Sequence, residues 1–122
     1  MGYNMYNNFE VMHIIIYKSK KFLKDYKKIL VSKHLYKEID RLNKIEGLII
    51  ESDNLHVLLN NPLRMVYNIE KKSANLKEYY TARLNSKIRL IIKPCSDYPY
   101  VNLNNIVELE FLSIDDTHYR EG

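Results

Sequence analysis

At 122 residues and 14.6 kDa, with 46% hydrophobic residues, the chain builds one domain around a single modest core. Three glycines and one cysteine exclude a glycine-rich phosphate loop, a dinucleotide fingerprint, an internal disulfide and a cysteine zinc cluster, and His13, His34, His56 and His118 lack metal-ligand spacing, so neither cofactor nor metal is expected. The net charge of +4 is crowded into residues 18–44, where only Asp25, Glu38 and Asp40 oppose the basic side chains, which suits a polyanionic or acidic partner.

Residues 1–11, rich in Asn and Tyr and without periodicity, read as an N-terminal extension, and residues 12–122 as one domain. No apolar run is long enough to cross a bilayer and no signal-peptide pattern opens the chain, so a cytoplasmic protein is expected. The β-branched run at residues 11–17 reads as a first strand buried on most sides, with His13 a packed strand residue. Ser19 offers an N-cap, after which Phe22, Leu23, Tyr26, Ile29 and Leu30 form one helical stripe backed by lysines. Ser32 offers a second cap, for a helix with Leu35, Ile39, Leu42 and Ile45 on its apolar face and its end at Gly47. Together these predict a basic helical hairpin.

Ser52 or Asp53 is expected to cap a short third helix through Leu55, Leu58 and Leu59, which Asn60-Asn61-Pro62 must stop. Residues 63–77 read as irregular or briefly extended, and they carry Glu70, Lys71 and Lys72. Residues 78–94 then alternate with period two on both sides of Asn85-Ser86-Lys87, which predicts a β-hairpin. If Leu84 faces Ile88, then Tyr80, Ala82, Leu84, Ile88, Leu90 and Ile92 share the buried face. That register sets Arg83 across from Arg89 on the other face, beside Thr81 and Ile91. Like charges opposed in a ladder are destabilising, so an anion is expected over them: either Glu108 and Glu110 from a later strand, or a phosphate held by the guanidinium forks. Residues 95–105 read as a long turn containing the lone Cys95, an incidental thiol. A last strand at residues 106–114 is expected to put Val107, Leu109 and Phe111 on the core face.

The predicted class is α+β: an N-terminal strand, a basic helical hairpin and a short third helix packed on a small, mainly antiparallel sheet. This order, with Arg83-Leu-Asn-Ser-Lys-Ile-Arg89-Leu in the hairpin, resembles the RelE/ParE superfamily of bacterial toxins over about residues 12–119. Residues 80–90 and the terminal His118-Tyr119 look most like the YoeB branch, with the HigB-like killer proteins next.

The resemblance implies a microbial-RNase-like domain that acts as the toxin of a type II toxin–antitoxin system. Such a toxin cuts messenger RNA on the ribosome without a metal and is silenced by an antitoxin in a hetero-oligomer. It further implies that Glu70 is the catalytic glutamate, Arg83 and Arg89 the strand arginines and His118 with Tyr119 the closing pair; Lys71, Lys72 and Lys87 are expected as RNA contacts beside them. Thr81 stands where RelE itself has a lysine, which points to the glutamate-histidine version of the site. Loop 95–105 is longer than the resemblance leads one to expect. Metal-free RNA cleavage needs a base for the 2′-hydroxyl, cations for the phosphorane and an acid for the leaving 5′-oxygen, and Glu70, the two arginines and His118 answer to these roles. Two other functions fit the same outline: a ParE-like inhibitor of DNA gyrase without nuclease activity, and a non-catalytic RNA-binding regulator.

Overall fold

The computed structural model describes residues 13–116; the expected extension at residues 1–11 and the residues His118 and Tyr119 lie outside the described residues. In chain order the elements are β1 (Ile15–Lys18), α1 (Lys20–Leu30), α2 (Tyr36–Glu51), α3 (Leu55–Leu59), α4 (Leu63–Val66), β2 (Glu70–Lys71), β3 (Tyr80–Arg83), β4 (Ile88–Pro94) and β5 (Glu108–Asp116). Short 3₁₀ turns lie at Lys33–Leu35, Ala74–Leu76 and Leu103–Asn105. The strands form one sheet in the order β1-β5-β4-β3-β2, with β1 parallel to β5 and the other pairs antiparallel. The class is α+β, as the periodicities predict.

The hairpin has the expected register: Thr81 pairs with Ile91, Ala82 with Leu90 and Arg83 with Arg89. Asn85 shapes its turn, since its Oδ1 accepts from the amides of Lys87 and Ile88 at 2.7 Å each while its Nδ2 donates to Glu38 Oε2 at 2.8 Å. Alternation then buries Tyr80, Ala82, Leu84, Ile88, Leu90 and Ile92 beneath the helices. Phe111 of β5 is fully buried and its ring meets Phe22 of α1 at 5.4 Å, a contact that joins sheet and helix at the centre of the core.

The last strand departs from simple alternation. Ile91 pairs with Ser113 but Ile92 pairs with Phe111, so Leu112 is an extra residue, a β-bulge. The core face of β5 therefore reads Leu109, Phe111, Ile114, and Val107 is only half-buried. Ser19 braces this bulge from the helix side: its hydroxyl donates to the Leu112 carbonyl at 2.6 Å and accepts from the Phe22 amide at 2.9 Å, so one side chain caps α1 and ties it to β5.

Several expected details are corrected. β1 lies at the sheet edge rather than inside, with Ile15 and Tyr17 half exposed. On α1, Leu23 and Leu30 are exposed, and the acidic Asp25 takes the buried position because it accepts from the Ile114 amide at 3.0 Å. Ser32 makes no cap bond; its hydroxyl donates back to Lys28 O, and α2 starts later, at Tyr36. That helix runs through Gly47 to Glu51, because Leu48 and Ile49 are core residues whose burial outweighs the glycine. The cap of α3 is Asn54, not Ser52 or Asp53; Ser52 is buried and its hydroxyl donates to Leu48 O. Residues 63–77 hold a turn of helix, α4, where irregular chain is expected.

The end of α4 sets where β2 begins. Asn68 adopts φ 52°, and the amides of Asn68 and Ile69 donate to Met65 O and Arg64 O, a Schellman closure in which Asn tolerates the left-handed conformation. The closure sends Ile69 into the core and presents Glu70 at the start of the edge strand.

Candidate active-site cleft

The helices cover one face of the sheet, and the face left over collects the polar alternates. Because directly paired residues share a face, Glu70, Thr81, Ile91 and Ser113 form one row across four strands, and Arg83, Arg89 and Asp115 form the next. The connection between β2 and β3 folds back on itself, with the Lys72 amide bonded to Tyr79 O and the Tyr79 amide to Leu76 O. It walls a cleft of about 390 Å3 lined by Lys21, Lys72, Leu76, Tyr79, Arg89 and Asp115, with Thr81, Ile91 and Ser113 also in its surface. Thr81 is 5% exposed although it faces away from the helices, which places it at the bottom of this cleft.

Arg89 is the centre of the arrangement. Its Nη2 lies 3.6 Å from Asp115 Oδ2, longer than a good charge-assisted hydrogen bond, and its Nε is buried with no partner among the described residues. A buried donor in that state favours an acceptor arriving from outside. Lys21 reaches the same cleft from α1 while bonded to Asp25 at 3.1 Å. Three cationic side chains against one carboxylate make the cleft electropositive.

The site residues expected from sequence divide into three groups. Arg89 and Lys72 line the cleft. Glu70 stands exposed on the edge strand, one strand out from Thr81 on the same face, and Arg83 is exposed beside Arg89 on the strand next to it; neither lines the cleft. Lys71 is set apart, because alternation along β2 turns it to the opposite face from Glu70, where its Nζ lies 5.5 Å over the Tyr98 ring together with Lys77. Lys87 sits at the exposed hairpin turn, and His118 and Tyr119 are outside the described residues. The carboxylates suggested as partners for the arginines have other neighbours: Glu110 is opposite Lys93, and Glu108 accepts from the Tyr17 hydroxyl at 3.3 Å. Asp115 takes their place at Arg89.

Tyr79, Lys21 and Asp115 were not among the expected residues. Tyr79 was accessible in principle, since it precedes Thr81 by two on one strand period. Asp115 was not, because only the bulge brings it to the Arg89 face. Cys95 has its thiol raised above the ordinary range by partial burial and by the nearby carboxylates of Glu110 and Glu108. Among the described residues, no three His, Cys, Asp or Glu side chains are grouped as metal ligands.

Comparison with solved structures shows that this sheet order and its covering helices are a fold shared with known toxin structures. YafQ from Escherichia coli strain BL21(DE3) superposes with a TM-score of 0.56 at 23% identity over 89% of this chain and 99% of that one. The E. coli DinJ-YafQ toxin-antitoxin complex gives 0.58 at 21% identity over 91% of this chain and 100% of that one. A YoeB/ParE toxin from Agrobacterium tumefaciens gives 0.50 at 11% identity, over 84% and 98%. No protein-family model matches the sequence, and no curated protein matches it.

Proposed function

We propose that this chain is the toxin of a type II toxin–antitoxin system and that it cleaves messenger RNA on the ribosome by acid–base catalysis without a metal, in the cytoplasm. The observation that carries the reading is the buried Arg89 Nε, unpartnered among the described residues, inside a cleft that also holds Lys21 and Lys72. A backbone phosphate seated there gives Arg89 its missing acceptor and is held where negative charge grows during in-line attack. In this mechanism Glu70, two strands from Arg89 on the same open face, takes the proton from the 2′-hydroxyl. The oxygen bonds to the adjacent phosphorus, and the 5′-oxygen departs with a proton from His118, leaving a 2′,3′-cyclic phosphate and a 5′-hydroxyl. His118 suits the acid role because its ordinary pKa of about 6.5 keeps part of it protonated near neutrality. Tyr119 stacks on a base beside it, and Arg83, exposed next to Arg89, holds a neighbouring phosphate. The antitoxin silences the toxin by covering the cleft.

The reading is tested by single-turnover cleavage of messenger on programmed ribosomes. Arg89→Ala is expected to lose roughly 10²- to 10³-fold, as when one oxyanion donor is removed, and His118→Ala roughly 10²- to 10⁴-fold. A substrate whose leaving group needs no proton rescues His118→Ala in part and Arg89→Ala not at all. Wild-type cleavage by either variant defeats the mechanism. Intact RNA together with inhibition of DNA gyrase supercoiling by the wild-type chain shows a gyrase inhibitor instead.

A further inference from the structure

The edge strand β2 puts adjacent residues on opposite faces of the sheet, so Lys72 enters the Arg89 cleft and Lys71 enters a second one. This second cleft, of about 420 Å3, lies against the end of α3, α4 and the 3₁₀ turn at Leu103–Asn105, and its volume is within the range of roughly 300–1,000 Å3 common for small-ligand sites. Among the described residues its lining includes Arg64 and Lys71 and no carboxylate. Both cations are held in position. Arg64 Nη1 donates to Ile69 O at 3.1 Å, which orients the guanidinium plane, and Lys71 rests over the Tyr98 ring. Tyr80 also lines the cleft and is 4% exposed. Its neighbour Tyr100 is satisfied, donating to Glu78 O. Leu59 and Leu103 supply apolar surface.

Paired cations, a tyrosine hydroxyl at the cleft wall and apolar walls fit a ligand that joins a phosphate to a flat apolar group. We propose that this cleft binds a 5′-nucleoside phosphate, with the phosphate on Arg64 and Lys71, a phosphate oxygen accepting from the Tyr80 hydroxyl, and the base against Leu59 and Leu103. The nucleotide arrives either free or as part of an RNA strand that crosses β2 from the Arg89 cleft. The proposal does not depend on cleavage at Arg89.

The test is equilibrium binding of adenosine 5′-monophosphate, inorganic phosphate and a short 5′-phosphorylated single-stranded RNA to the purified full chain. Tyr80→Phe, which keeps the ring, and Lys71→Gln, at an exposed position, are each expected to weaken the monophosphate roughly tenfold with unchanged melting temperature. Lys37→Gln, exposed on α2 and outside both clefts, is expected to leave its Kd unchanged. RNA binding much tighter than monophosphate, and weakened by Arg89→Ala as well, identifies the strand as the source; equal affinities insensitive to Arg89 identify the free nucleotide. Inorganic phosphate binding as tightly as the monophosphate, wild-type affinity in both cleft variants, or no binding of either nucleotide overturns the proposal.

Discussion

Tyr100 shows how local packing reaches into the titration of the protein. Burial, followed by the charge of Glu78, pushes its hydroxyl up from 10.0 to about 12. The folded chain then keeps a proton that the unfolded chain releases near pH 10, so this residue's contribution to stability is complete below pH 10 and declines as pH rises from there to about 12. Tyr100→Phe is expected to remove the highest-pH step from the phenolate absorbance titration of the eleven tyrosines and to flatten the loss of stability across that interval. Identical high-pH titration of variant and wild type would show that Tyr100 is not held as the structure has it. Arg89 makes a parallel point about charge. Its position opposite Arg83 was legible from burial alone, because a slip of one residue would have turned one arm's three apolar side chains out of the core. Its partner Asp115 was not, since the bulge at Leu112 reverses which face the end of β5 presents.

Elements were legible where one periodicity holds throughout and less so where a long-range contact overrides a local signal. Gly47 reads as a helix stop, yet the helix continues because the next turn buries Leu48 and Ile49. Ser52 reads as a cap, but its burial against α2 leaves the role to Asn54, whose Oδ1 accepts from the Val57 amide at 2.9 Å. Ser19 is the reverse case: the cap was legible, its second bond to the bulge was not. A cap serine replaced by alanine costs about 1 kcal/mol, within a range of roughly 0.5 to 2. Ser19→Ala is expected at the upper end, because it also leaves the Leu112 carbonyl without its donor. Asn68 governs the entry to β2, and an alanine forced into its left-handed conformation costs roughly 1 to 2 kcal/mol, whereas Asn68→Gly should be nearly neutral. Urea unfolding of the three variants checks both statements; equal stability of Asn68→Ala and Asn68→Gly would remove the strain argument.

At the scale of the molecule, the basic segment at residues 18–44 does not act as one patch. Arg41 turns inward, donating from Nε to Arg83 O and from Nη2 to Val66 O at 2.7 Å with its guanidinium over Tyr67, so it pins α2 to the sheet and to α4. Lys18 pairs with Glu46 and Lys44 with Asp40, while Lys24 and Lys27 stand exposed on α1. Lys72 alone of the lysines expected to contact RNA lines the Arg89 cleft. Contact and steering are separable by salt. A lysine that neutralises a phosphate of single-stranded RNA contributes roughly 0.7 to the slope of log K against log salt, whereas one that only raises the local potential acts on the association rate and fades as ions screen it. Lys72→Ala is therefore expected to lower the slope for RNA binding by about 0.7. Lys24→Glu with Lys27→Glu is expected to slow association several-fold at low salt and to converge on wild type as salt rises. If the α1 pair changes the slope as Lys72 does, the RNA path runs over α1 and the open sheet face is not where the strand lies. An unchanged slope in Lys72→Ala would instead take the phosphate out of the Arg89 cleft, and with it the catalytic reading built on that residue.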